Sequence, residues 1–226
     1  MVKTKKKTGQ LFSNNRPETT VHGYGFDTLD HVKKTLADLV NRDSHYQFQV
    51  VNTLYQRCLV MQKKKPGSYE HQLKAMKAWL DAYKAHPVPQ FDYLPPAIVD
   101  QLEAFAEFYG ISRKARGLEK PTTSDKGFLT VYREVRGDYA KLRTMPVKAS
   151  VPHGQTWDKQ RNNYLVRRVS MIKNAAYGLY YASGKHAGLP TVLHVNMMMW
   201  AHSPDPKMKN PAFVRQCLAK LKAITA

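Results

Sequence analysis

Two cysteines, Cys58 and Cys217, are all that this 226-residue chain contains. They lie far apart, each inside an apolar helical pattern. They therefore read as small buried hydrophobes, not as a disulfide pair or as metal ligands, which suits a reducing compartment. Long hydrophobic runs are also missing. No stretch approaches the roughly 20 apolar residues that cross a bilayer, and the opening "MVKTKKKTGQ" lacks the apolar centre of a secretory signal. Neither a membrane partner nor secretion is expected. Carboxylates are scarce, with 17 Asp and Glu against 36 Lys and Arg. The spacings that mark common catalysts are absent as well: no HExxH, no Gly-rich phosphate loop and no Cys–His nucleophile pattern. There is no internal repeat. No catalytic residue, cofactor or metal is expected.

What is present is positive charge and aromatic carbon. The net charge is +19, the isoelectric point is near 9.9, and aromatics make up 11% of the chain. So large an excess opposes compaction unless a polyanion screens it, and nucleic acid is the commonest such partner. The charge is uneven. Residues 1–24 carry five basic and one acidic side chain, residues 25–110 ten of each, and residues 111–226 carry 21 and 6. This divides the chain into a flexible basic tail (1–24), a neutral helical bundle (25–110) and a strongly basic helical domain (111–226). Within the neutral part, Asp100, Glu103 and Glu107 recur at helical spacing. They form an acidic stripe that either faces solvent or docks on basic residues.

A 3.6-residue period dominates, and alternating strands are scarce. The expected fold is all-α, as two helical lobes. "FDTLDHVKKTLADLVNR" places Leu29, Val32, Leu36, Leu39 and Val40 on one face, with Asp27 or Thr28 as N-cap. Helices over "SHYQFQVVNTLYQRCLVMQ", "SYEHQLKAMKAWLDAYKA" and "PAIVDQLEAFAEFYG" complete a four-helix N-terminal bundle. The polar, broken "ISRKARGLEKPTTSDKG" reads as the boundary between lobes. A helix then spans "FLTVYREVRGDYAKLR", another runs from Trp157 to Ser183, Pro190 starts a short one, and "NPAFVRQCLAKLKAITA" supplies the last.

The candidate nucleic-acid contacts follow from that layout. Along 157–183 the buried stripe is Leu165, Val169, Ile172, Ala176 and Leu179. Trp157, Arg161, Tyr164 and Arg168 form a second ridge that alternates aromatic and cation. Arginine forks match phosphates and aromatic faces stack on bases. Lys159, Arg167 and Lys173 add charge on the open side. Arg136 and Arg143, seven apart on the preceding helix, extend the surface, and "SRKAR" (Arg113, Lys114, Arg116) adds a basic patch. No zinc-finger, RRM or helix-turn-helix pattern is present. The expected contact is therefore with phosphates, salt-sensitive and weakly sequence-specific. Glu134 and Asp138, at i and i+4 on one helix face, are expected to pair with neighbouring Arg and Lys and not to share a cation. "PTVLHVNMMMWAHSPDP" gathers unusual residue types. Its histidines, His194 and His202, would lie about 12 Å apart on a continuous helix. The stretch reads as core, with Val192, Val195, Met198 and Met199 as packing positions.

The segments "GYGF" (Gly23–Phe26), "KKTL" (Lys33–Leu36) and "NRDSHYQFQVVNTLYQRC" (Asn41–Cys58), with Met76 and Trp79, resemble uncharacterised proteins encoded by large DNA viruses of algae and protists and by some marine phages. "MMMWAHSPDP" gives a fainter similarity. The resemblance covers about 23–85 and implies a viral origin without an activity. A viral setting would supply two polyanionic contexts, the packaged genome and the inner capsid surface. The expected function is a non-enzymatic, largely sequence-non-specific nucleic-acid-binding protein, with DNA favoured over RNA, in the virion or in the host cytoplasm or nucleus. The alternatives are a minor capsid or other assembly protein, meeting copies of itself or capsid proteins, and thirdly a nucleic-acid-processing enzyme.

Overall fold

The computed structural model describes residues 17–86, 89–111, 127–151, 154–174 and 178–225. Among these the chain is all-α: eight α-helices, three short 3-10 turns and two isolated β-bridges, with no strand. No helix among them is long and apolar enough to cross a membrane. The chain divides into two compact units, residues 1–90 and 91–226, each with its own core.

The first unit holds α1 (Leu29–Leu39), α2 (Ser44–Lys64) and α3 (Glu70–Ala85). Local chemistry accounts for their ends. The Thr28 hydroxyl accepts from the His31 amide at 3.1 Å, and the Asp43 carboxylate accepts from the Tyr46 amide at 2.9 Å. Each cap satisfies an N–H that a helix start leaves open. Val32 and Leu39 of α1 meet Val50, Val51, Leu54 and Cys58 of α2 and Met76 and Leu80 of α3. Val40, expected inside, is 56% exposed, because α1 ends at Leu39 and the chain turns through Asn41 at φ 70°. Packing also starts earlier than residue 25: Val21 and Tyr24 lie against this core, and the Tyr24 hydroxyl donates to Asp38 at 2.6 Å. Residues 1–16 of the basic tail lie outside the described residues.

The expected four-helix bundle is corrected to three helices. The fourth, α4 (Pro96–Phe108), belongs to the second unit, with α5 (Phe128–Glu134), α6 (Trp157–Asn174), α7 (Val192–Met198) and α8 (Pro211–Thr225). Proline at its first position starts α4, and Gly110 at φ 58° follows its end. Its apolar face, Ile98, Val99, Leu102, Phe105 and Ala106, is wholly buried among α5, α7 and α8. The boundary therefore falls at 90/91, not 110/111. The acidic stripe travels with α4 and is docked: Arg133 of α5 donates to Asp100 at 2.9 Å, to Glu103 at 3.0 Å and to the Val99 carbonyl at 3.2 Å. The segment "SRKARGLEKPTTSDK", expected as the boundary, lies outside the described residues.

Two further helices are shorter than their periodicity suggests. α5 stops at Glu134, and the chain turns through Arg136 (φ 52°) and Gly137 (φ 76°). A Cβ on Gly137 would sit 2.5 Å from Pro96 Cγ, so only glycine allows α5 to turn this close to the start of α4. Arg136 and Arg143 consequently do not share a helix, and Glu134 and Asp138 do not share a helix face; the Asp138 carboxylate accepts from the Ala140 amide at 3.2 Å. α6 ends at Asn174, not near Ser183. Beyond it a tight loop pairs Tyr180 with Pro190 and leads into α7.

Candidate nucleic-acid interface

α6 supplies most of the candidate contacts, and burial divides them. Trp157, Arg161 and Leu165, at i, i+4 and i+8, all point into the core. The ridge expected beside the buried stripe is therefore, at its first two positions, part of the buried stripe itself. Trp157 packs on Phe128, with ring centroids 6.0 Å apart, and is corrected to a core residue.

Arg161 is corrected more sharply, being fully buried. Its Nε donates to the Trp200 carbonyl at 2.8 Å. Nη1 donates to the Phe91 carbonyl at 3.0 Å, and Nη2 to the carbonyls of Asp92 at 3.1 Å and Ala201 at 3.4 Å. The guanidinium also lies 3.6 Å from the centre of the Tyr93 ring. A buried charge is tolerated only when its donors are met, and here the rigid guanidinium fork ties residues 91–92 to residues 200–201. The Leu94 amide, donating to the Ala201 carbonyl at 2.8 Å, and His202 Nδ1, 2.9 Å from the Asp92 carbonyl, reinforce the same seam. This seam holds the segment leading into α4 within the second unit.

The other flank of α6 is different. Tyr164 stacks on Trp200 at 4.9 Å and 27°, and the Arg168 guanidinium lies 4.7 Å over the Tyr164 ring. Gln155, Gln160, Asn163, Tyr164, Arg167, Arg168 and Trp200 line a pocket of about 400 Å³, within the size range of small-molecule sites. The lining contains two arginines, three carboxamides and two aromatics, and no carboxylate. Four of these residues carry a buried polar atom without a hydrogen-bond partner among the described residues: Gln160 Oε1, Tyr164 Oη, Arg168 Nε and Trp200 Nε1. Each such atom costs about 1–3 kcal/mol, and folded proteins keep few. Four of the seven such atoms among the described residues lie on this one pocket.

From this pocket a run of rings crosses the unit. Trp200 is 5.1 Å from Phe128, Phe128 6.0 Å from Tyr132, Tyr132 5.4 Å from Tyr93, and Tyr93 5.0 Å from Tyr139. Tyr139 is 48% exposed, and the Arg143 guanidinium lies 5.6 Å over it. Both ends of the run thus present an arginine over a tyrosine. The 3-10 turn Lys141–Arg143 packs against α6.

Of the expected contacts, the structure brings Tyr164, Arg167 and Arg168 together at the pocket and places Arg143 at the far end of the ring run. Arg136 is exposed in the turn after α5, and Lys159 is half-buried on α6. Arg113, Lys114 and Arg116 lie outside the described residues, as does the side chain of Lys173. Sequence reasoning missed Trp200 and the carboxamides. Gln160, Asn163, Tyr164 and Arg167 follow the i, i+3, i+4, i+7 rule for one helix face, so spacing alone could have found that face.

His194 and His202 are both buried. α7 ends between them at Met198, and the backbone reverses at Ala201 with φ 48°. His194 Nδ1 faces the Leu179 carbonyl at 3.1 Å, so it carries the proton, and Nε2 lies 2.8 Å from Ser203 Oγ. Ser203 Oγ donates to the Asp205 carbonyl at 2.9 Å and accepts from the Asp205 amide at 3.1 Å. Burial pushes both imidazoles down to about 4. No group of three His, Cys, Asp or Glu side chains among the described residues is placed to hold a metal. Val195, Met198 and Met199 are buried as expected, whereas Val192, at the exposed start of α7, is 41% exposed. No protein-family model matches this chain, and no curated protein is significantly similar to it.

Proposed function

We propose that the protein is a non-enzymatic, largely sequence-non-specific nucleic-acid-binding protein, with DNA as its expected polymer. The observation that carries this reading is the open flank of α6. There Arg167 and Arg168 stand beside Tyr164 on a pocket without a carboxylate, in a chain with 36 basic and 17 acidic side chains. Arginines supply phosphate contacts and aromatic rings supply stacking. The Arg143–Tyr139 pair repeats the combination on the same unit. The setting in a virion, beside a packaged genome, rests on the resemblance of residues 23–85 to viral proteins.

The test is purification without nuclease at low ionic strength. Nucleic acid is expected to co-purify, to be released by high salt, and to be destroyed by nuclease. Protein that emerges free of nucleic acid and fails to shift added DNA or RNA at low salt would contradict the proposal.

A further inference from the structure

We infer that the pocket on the open flank of α6 takes one unpaired nucleotide of a single strand, which would make this protein a single-strand binder at that point. The inference rests on the nucleic-acid reading above and sharpens it from phosphate contact to a class of substrate.

The lining matches the parts of a nucleotide. Tyr164, backed by the buried Trp200 ring, offers an aromatic face, and base–aromatic stacking is tolerant of sequence because every base has a π-face. Gln155, Gln160 and Asn163 offer carboxamides, which pair with base edges through a donor and an acceptor together. Arg167 is exposed and Arg168 half-exposed, placed for a phosphate. Arg168 Nε, a donor only, has no partner among the described residues while its guanidinium lies over the Tyr164 ring, and a phosphate beside the pocket would give it one. The absence of a carboxylate from the lining disfavours a metal ion or a cationic ligand there. A paired base does not fit, because its faces and edge are already occupied within the duplex. Arg168 now covers the Tyr164 ring, so base entry requires its guanidinium to leave the ring for the phosphate. Arginine serves either position, since it stacks on aromatics and forks onto phosphates.

The test uses the full chain with Trp79→Phe, which leaves Trp157 and Trp200 as emitters. A short single strand and a duplex of the same length are titrated at one ionic strength. Anisotropy reads binding, and tryptophan emission reads the pocket. The single strand is expected to bind about tenfold tighter than the duplex and to quench emission, with the quench abolished in Trp200→Phe. Tyr164→Ala is expected to remove the single-strand advantage and leave duplex binding within about twofold of the parent. Tyr164→Phe, which keeps the ring and guards against a folding defect, is expected to retain the advantage. Equal affinities for the two forms, or single-strand binding without any change in emission, would overturn the pocket while leaving electrostatic binding intact. Binding of neither form at low salt would remove the nucleic-acid reading and the pocket with it.

Discussion

Arg161 lies one helical turn from Trp157 and one from Leu165, on the stripe that faces the core. By residue type it resembles a solvent cation; in place its guanidinium is a bracket for backbone carbonyls. Replacing it with methionine keeps the volume but leaves buried carbonyls without their donor. A destabilisation of about 3–5 kcal/mol is expected, read as a lower urea midpoint. Arg161→Lys is expected to recover little of this, because an ammonium on a flexible stem cannot span the same carbonyls. Neither change should alter the salt dependence of nucleic-acid binding in protein that remains folded. A lysine variant as stable as the parent would show that the carbonyl bracket does not matter. Arg167, further along the same helix, falls off that stripe and is exposed. Two of the carbonyls that Arg161 brackets lie 39 and 70 residues away from it.

Among the elements, α4 shows where periodicity informs and where it stops. Its limits are legible in the sequence, with proline at its first position and glycine past its end. Its allegiance is not, because short loops suggest bundling with the preceding helices, while the deciding bonds join residues 91–94 to residues 200–202. A fragment starting at Phe91 is therefore expected to unfold cooperatively by circular dichroism. One starting at Ile111, which lacks α4 and half of the seam, should show no cooperative transition. Equal behaviour of the two fragments would restore the boundary at 110/111. The apolar spacing overstates the length of α5 for a related reason. Val135, Tyr139 and Leu142 keep that spacing after the helix has ended, and only the turn at Gly137 breaks it. Gly137→Ala forces both the left-handed φ and the Pro96 clash, and should cost about 1–3 kcal/mol in unfolding free energy, measured by urea titration.

At the scale of the molecule, the corrected boundary redistributes charge. Residues 91–226 carry 21 basic and 10 acidic side chains, and residues 1–90 carry 15 and 7. The second unit is thus less one-sided than residues 111–226 alone, and Arg133 is committed to its own acidic helix. Its stability should also depend on pH. His194 and His202 stay neutral in the fold, with pKa values near 4 against about 6.5 when free. Well above pH 6.5 neither state binds these protons and the two groups contribute no slope. As the pH falls toward 4 the unfolded chain takes up protons that the folded chain refuses, so stability drops by about 3 kcal/mol for each histidine. Urea unfolding of the second unit across that range checks the sign; a midpoint that rises on acidification would contradict it. Nucleic acid is expected to meet the open flank of α6 through its phosphates. The direct measurement is the slope of log affinity against log salt for a single-stranded oligonucleotide, in the parent protein and in Arg167→Ala. A steep linear fall is predicted, shallower by about 0.7 in the variant because one fewer phosphate is neutralised. A slope near zero, or one unchanged by Arg167→Ala, would contradict it.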